Sequence, residues 1–264
     1  MNIKPETVLS PEERKAKILE FININESVSV LELTDYFNVT GATVRSDLRE
    51  LETQNKLIRT HGGAVALMKR GFEDKPENRS NQREKMIIAK AALAYISNGD
   101  SFMIDTGTTN YELARLISQS SRKELRVITN DTMIAQILEE NDEIEVILAG
   151  GVIRNHYHCT LGYQAVKFLQ QFSVDKTFLG ATSVSVNGGL ATPNIAVSEI
   201  KEVMIAQAKQ SIVLCDSSKF GKSTFHKYAN IDGVDVLITD QGLSMGYRDI
   251  LSQLDVEVVL AEEG

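Results

Sequence analysis

The sequence predicts an α/β fold in two parts: a small helical module with a basic strand pair, then a larger domain built on a mostly parallel sheet. Three observations predict it. Short runs rich in Val and Ile recur at 101–104, 125–128, 144–148, 176–180, 211–215, 234–238 and 256–260. Helix-length patterns separate most of them, at 108–119, 131–140, 162–171, 195–209 and 247–254, and such alternation makes βαβ units. Ahead of them, Lys69 to Ser80 (KRGFEDKPENRS) is polar, carries the breakers Gly71 and Pro76, and has no apolar period. The boundaries that follow are a first domain at 1–68, a linker at 69–80 and a second domain at 81–264. With 264 residues, 42% of them hydrophobic, the chain can form one or two domains with proper cores.

Residues 1–10 read as a flexible arm. Pro11 opens a helix with Ile18, Leu19 and Ile22 on its buried side and Arg14, Lys15 and Lys17 near its start. Ser27 to Val30 reads either as a short strand or as a helix cap. Leu31, Leu33, Tyr36 and Phe37 mark a second, short helix, and Asn38-Val39-Thr40 leaves room only for a sharp turn. The stretch from Val39 to Ala64, VTGATVRSDLRELETQNKLIRTHGGA, then starts a helix at Thr40 with Val44, Leu48 and Leu51 on one face. Arg45, Ser46 and Arg49 fall on or near the opposite, exposed face. A basic strand, Leu57-Ile58-Arg59, and a tight turn, Thr60-His61-Gly62-Gly63, follow. Helix, short helix, turn, helix and basic hairpin is the order of a winged helix-turn-helix. A helix carrying two arginines beside a basic hairpin suits a major groove with its flanking phosphates.

Charge supports a confined interface. The chain carries a net −8, yet residues 41–70 hold six bases against three acids, a local +3 on a remainder of −11. That excludes a protein that coats nucleic acid over its whole surface and fits a basic module on an acidic body. Cys159 and Cys215 form no metal-spaced cluster and no disulfide framework. No charged-then-apolar leader opens the sequence and no apolar run approaches 18 residues, which predicts a soluble, cytoplasmic protein with no membrane partner.

The loops after the strands of the second domain are the informative ones, because ligands on parallel sheets sit at the strands' carboxyl ends. Ile104 leads into Asp105-Thr106-Gly107-Thr108-Thr109 and a helix, so that hydroxyls, backbone N–H groups and a positive dipole end favour phosphate. Further loops carry Thr129-Asn130, Gly150-Gly151 and Cys215-Asp216-Ser217-Ser218-Lys219, the last bringing an ammonium to the same edge. Together they predict a phosphorylated small molecule as ligand.

Two sets of residues carry a family resemblance. The stretch 39–64 resembles the helix-turn-helix signature of the DeoR family of bacterial transcriptional regulators. IDTGTT at 104–109, TN at 129–130, AGG at 149–151, DKTFLGA at 175–181 and DSSKFGK at 216–222 resemble that family's effector domain in the expected order. The resemblance covers roughly residues 11–240. It implies a winged helix-turn-helix joined to a mostly parallel αβα sensor domain similar to sugar-phosphate isomerases. It further implies a regulator, usually a repressor, of carbohydrate uptake and breakdown genes, acting as a homodimer or homotetramer on a double-stranded DNA operator and answering to a phosphorylated sugar. The chain departs from the family pattern at Ser46, where a second arginine is common, and at Ala181-Thr182-Ser183, where a second glycine follows Gly180 more often.

The DNA-facing candidates are therefore Thr40, Thr43, Arg45, Ser46, Arg49, Arg59, His61 and Gly62. Arg45 and Arg49 also read as solvated helix charges, Gly62-Gly63 as turn chemistry, and Asp47 as a residue that orients an arginine or caps the fold. The effector candidates are Asp105, Gly107, Thr108, Thr109, Asn130, Gly150, Gly151, Arg154 and Lys219. Asp105 reads either as a cap for the following helix or as a sugar-hydroxyl contact. Arg154, His156, His158 and Cys159 in RNHYHC invite a metal reading, but no second cluster completes a tetrahedral set, and a surface loop is the better reading. No cofactor, metal or catalytic residue is expected. The competing class is a sugar-phosphate isomerase or deaminase with an appended DNA module. Related deaminases carry acid and histidine residues in the glycine-rich loop after the central strand, and Ser185–Leu190 (SVNGGL) has neither. Asp175, Asp216 and Glu199 remain as carboxylates without a motif that makes one of them a base.

Overall fold

The computed structural model describes residues 10–25, 27–54, 56–60, 62–66 and 81–263. The chain divides into two compact units, Met1–Phe72 and Glu73–Gly264. The division falls inside the segment read above as the linker. Residues 69–80 themselves, like the arm at 1–9 and His61, lie outside the described residues.

The first unit contains α1 (Pro11–Asn25), β1 (Ser27–Ser29), α2 (Val30–Phe37), α3 (Gly41–Thr53), β2 (Leu57–Arg59) and β3 (Gly63–Ala66). Both readings of Ser27–Val30 hold. Ser27–Ser29 is a strand, and Ser29 also caps α2 through a reciprocal capping box with Glu32. Asn38 ends α2 in the left-handed conformation at φ 51°. Thr40 caps α3 by accepting from Thr43 N at 3.2 Å. Ile18, Ile22, Leu33, Phe37, Val44, Leu48 and Leu51 close the core against Val28, Leu57 and Ala64 of the antiparallel sheet β1-β3-β2. Leu31 is 71% exposed, because in an eight-residue helix Leu33 and Phe37 already fill the buried stripe. Gly63 is fixed by close approach, since a Cβ there would sit 1.9 Å from the Val28 carbonyl oxygen.

The second unit is an αβα sandwich. Its strands are β4 (Ser101–Ile104), β5 (Leu125–Thr129), β6 (Ile144–Leu148), β9 (Val174–Gly180), β12 (Ala208–Leu214), β14 (Val236–Asp240) and β15 (Glu257–Ala261), which form one all-parallel sheet in the order β15-β14-β12-β9-β4-β5-β6. These are the seven apolar runs of the sequence. Successive side chains alternate across the sheet: Phe102, Ile104 and Phe178 pack under α4 (Gln82–Leu93), α5 (Thr108–Ser118) and α6 (Thr132–Leu138). Met103, Leu179 and Val213 face α7 (Tyr163–Leu169), α8 (Ile195–Ala206) and α9 (Met245–Leu251). The last helix begins two residues before the expected 247, at the Ser244 cap.

Short pieces escaped the periodicity. The expected surface loop at 154–159 is the turn of a hairpin, with residues 155–158 between β7 (Val152–Arg154) and β8 (Cys159–Leu161). A second small sheet holds β10 (Ser183–Ser185), β11 (Gly189–Thr192) and β13 (His226–Ala229). Three or four residues give too few alternations to register as strands.

Candidate functional site

On the first unit, α3 presents Ala42, Arg45, Ser46 and Arg49 to solvent while Val44, Asp47, Leu48 and Leu51 are buried. The Arg45 guanidinium lies back along the helix, 3.3 Å from where a Cβ on Gly41 would stand, so its charge sits at the helix's N-terminal end. Recognition helices touch base edges with that end. Asp47 does orient an arginine, but the partner comes from α1: Arg14 Nε donates to Asp47 Oδ2 at 2.6 Å and Nη2 to Oδ1 at 3.2 Å. The same bond raises the Arg14 pKa against the opposing pull of desolvation. Lys15 is likewise held by Glu50 at 2.5 Å. Three of the DNA-facing candidates are engaged within the unit. Thr40 and Thr43 share a hydroxyl contact at 2.9 Å, and Arg59 pairs with Glu52 at 2.8 Å. Gly62 is exposed, and its carbonyl accepts from Val30 N at 2.9 Å.

In the second unit the chain begins the sheet at β4, moves outward to β5 and β6, then returns to lay β9 on the other side of β4. The topological switch point therefore lies between β4 and β9, where a crevice opens at the carboxyl edge. Register places Ile104 beside Phe178, and Leu214 beside Gly180, so the loops after β4, β9 and β12 leave the sheet together. Around them is a cavity of about 310 Å³. Thr106, Gly107, Thr108 and Thr109 line it from the α5 N-terminus, where Gly107 at φ 143° takes a conformation that favours glycine. Gly180, Ala181 and Thr182 form one edge, and Asp216 and Lys219 another, on a 3₁₀ turn at Ser217–Lys219. Arg154 enters from β7 with its guanidinium 3.3 Å from the Tyr157 ring centroid, and Lys85 enters from α4.

Sequence reasoning missed Lys201, the cavity's floor. It lies on α8 beneath the switch point, its side chain only 5% exposed, and its ammonium donates to the fully buried Asp105 carboxylate and to Gly180 O at 2.7 Å. The signal was present: Lys201 occupies the apolar stripe of α8 with Val197 and Met204 at i−4 and i+3. Lysines are almost never buried unless paired. Asp105 accordingly takes a third role. It neither caps α5, whose cap residue Gly107 makes no side-chain bond, nor lines the cavity; it neutralises Lys201 from below.

Other effector candidates are not brought to this cavity. Asn130 is fully buried and ties β5 to the hairpin through Thr160 O at 3.0 Å. Gly150 and Gly151 line a separate shallow depression with Tyr163 and Phe168. Gly151 is needed for packing, because a Cβ there would meet Leu161 O at 2.7 Å. Beside the cavity, burial raises the Asp131 pKa, although Thr106 Oγ1 donates to it at 2.6 Å. Burial also pushes the Cys215 thiol up, so this wall residue stays a neutral thiol rather than a nucleophile. Asp175 sits at the opposite edge of the sheet, bonded to Ser101 and Lys209, and Glu199 is exposed on α8. Among the described residues no group of three His, Cys, Asp or Glu side chains is arranged to hold a metal ion. Nor is any described helix long and apolar enough to cross a membrane.

Comparison with known proteins supplies names for both units. Residues 14–70 match the model of the DeoR-like helix-turn-helix domain, and residues 80–241 match the DeoR C terminal sensor domain. The chain is 36% identical over 248 residues to the HTH-type transcriptional regulator YulB of Bacillus subtilis, covering 93% of this chain and 95% of that one. It is 34% identical to the HTH-type transcriptional regulator GlpR of Haloferax volcanii, over 94% and 97% of the two chains. The HTH-type transcriptional repressor GlcR of Bacillus subtilis is 31% identical, over 96% and 97%. Among solved structures, ribose 5-phosphate isomerase A of Methanocaldococcus jannaschii aligns over 53% of this chain and 55% of its own, at 20% identity and a TM-score of 0.40.

Proposed function

This chain belongs to the DeoR family of transcriptional regulators, and from that premise we propose that it represses carbohydrate uptake and breakdown genes under the control of a phosphorylated sugar. The N-terminal unit binds DNA and the C-terminal unit is the sensor. The observation that carries the ligand class is the charge of the cavity. Lys85, Arg154, Lys201 and Lys219 line it, against Asp216 on its wall and Asp105 beneath Lys201. Arg154 and Lys219 bring positive charge to its walls, which complements a phosphate monoester of about −1.5 to −2 at pH 7. The α5 N-terminus adds N–H donors and the Thr106, Thr108 and Thr109 hydroxyls. Ala181, Thr182, Thr192 and Tyr157 supply the mixed walls a sugar ring needs.

The ligand is bound and not turned over. Sugar isomerisation needs a base within hydrogen-bond reach of a carbon-bound proton. Here Asp105 is committed to Lys201, and Asp216 Oδ1 accepts from Asn81 and Ser218. On DNA, Arg45 and Arg49 are the recognition-helix contacts, and Arg59 and Gly62 stand on the wing side. One such helix reads one half-site, so the protein acts as a homodimer or homotetramer in the cytoplasm.

The test is Lys219→Ala in the full chain, titrated against a duplex from its own promoter region. Operator affinity without effector stays at the wild-type level, and the response to phosphorylated sugars is lost. An unchanged response at the same effector concentration would remove Lys219 from the site.

A further inference from the structure

Asn81 stands at the start of α4 in the left-handed conformation, φ 60° and ψ 35°, and makes no side-chain bond to its own helix. Helix starts ordinarily use that side chain for their orphan N–H groups. Here it is spent elsewhere. Asn81 Nδ2 donates to Asp216 Oδ1 at 2.9 Å and to Ser218 Oγ at 3.2 Å. Ser218 closes the triangle, its backbone N donating to the same Asp216 oxygen at 3.1 Å and its hydroxyl donating to it as well. The turn runs on into Lys219, whose N–H donates to Asp216 O at 3.0 Å. One helical turn after Asn81, Lys85 N donates to Asn81 O at 3.0 Å, and the Lys85 side chain lines the cavity with Asp216 and Lys219. Asn81 thus joins two cation-bearing walls of the cavity.

We propose that Asn81 is a positioning residue that couples occupancy of the cavity to the first turn of α4. An anion drawn to Lys219 fixes the 216–219 turn, and the Asn81 bonds pass that order to the first turn of α4. Two hydrogen bonds at a partly exposed position suit this role, because such bonds are individually modest and able to break when the turn is unoccupied. The ligand shifts the equilibrium only as far as it prefers the bonded arrangement. The proposal rests on the phosphate reading of the cavity given above.

The experiment is hydrogen–deuterium exchange on the full chain, with and without inorganic phosphate at constant ionic strength, comparing wild type with Asn81→Gly and Ser218→Ala. Glycine accepts the left-handed backbone, so Asn81→Gly removes the side chain and keeps the turn. In wild type, phosphate is expected to slow exchange several-fold at 107–110 and 217–220 and also at 84–88. Asn81→Gly keeps the response at the first two segments and loses it at 84–88, and Ser218→Ala weakens it there. A merely structural Asn81 would change exchange at 84–88 equally in the presence and absence of phosphate. A wild-type response at 84–88 in both variants, or a wild-type chain protected at the cavity but not at 84–88, would overturn the coupling alone. No protection at 107–110 or 217–220 in wild type would overturn the phosphate site, and the coupling with it.

Discussion

In the N-terminal unit Arg14, Lys15 and Arg59 are each neutralised, by Asp47, Glu50 and Glu52, while Arg45 and Arg49 stay exposed on α3 and form no salt bridge among the described residues. In the C-terminal unit Lys201 is neutralised by Asp105 under the cavity floor, while Arg154 and Lys219 line the cavity itself. Both units pair some cations within the fold and leave others on a surface or a cavity wall, but the surroundings differ. The arginines of α3 sit on a convex surface in water, where charges are screened and a polyanion must supply many contacts. The cations of the cavity line a crevice of about 310 Å³, a space on the scale of one small anion. The first surface is suited to a salt-sensitive grip on DNA and the second to selection of a small ligand.

The contrast can be broken most forcefully at the buried pair. Lys201→Met leaves the Asp105 carboxylate uncompensated and is expected to cost about 3–5 kcal/mol in chemical denaturation. The double variant Asp105→Leu/Lys201→Met recovers most of that loss. A Lys201→Met chain as stable as wild type would show that the pair is not structural. Next comes Lys219→Ala. Loss of one charge-assisted contact of about 1.5–3 kcal/mol predicts roughly 10- to 150-fold weaker effector binding by calorimetry, with thermal stability unchanged. Arg49→Ala is expected to cost about 1–3 kcal/mol of operator affinity if Arg49 reads a base, or to lower the salt slope by about one if it holds a phosphate. Arg59→Ala, already neutralised by Glu52, should do less in the same titration. The smallest effect concerns pH. Asp175 accepts from the Ser101 hydroxyl, from Lys209 and from the Ser101 amide, which hold its carboxyl well below the usual carboxylate range. A depressed folded pKa gives stability that is present above about pH 3.9, the unfolded value, and is lost as pH falls below it. Asp175→Asn should flatten the stability-versus-pH curve in that acid range and leave operator binding at neutral pH alone.

How far each unit could be read in advance follows the same division. The recognition surface is local: Thr40, Val44, Leu48 and Leu51 fix the phase of α3, and Arg45 and Arg49 follow from a single helical period. The seven sheet strands were equally plain, because a parallel sheet buried on both faces leaves uninterrupted Val- and Ile-rich runs. The cavity is not local. Thr106–Thr109 and Lys219 were legible as loops at strand ends, but only the fold shows that Gly150 and Gly151 belong to another surface. Asn130 looked like a ligand and is a tie to the β7–β8 hairpin, a hairpin whose three-residue strands carry no usable period. The Asp105–Lys201 pair spans 96 positions, and no window of sequence contains it. Gly63 read as turn chemistry, whereas its cause is the Val28 carbonyl pressed against it from another strand.

The central claim is that the phosphate group of a sugar, recognised in the cavity, sets the affinity of the helix-turn-helix for its operator. Fluorescence anisotropy on a labelled duplex from the chain's own promoter region, at physiological salt, tests it most directly when run beside a random duplex and a panel of hexose and pentose phosphates with their unphosphorylated parents. Binding to the promoter duplex is expected to be at least about 10³-fold tighter than to the random one. A phosphorylated sugar, and not its parent, is expected to shift it by about 5- to 150-fold. Equal affinity for the two duplexes, or an equal shift by the free sugar, would contradict it.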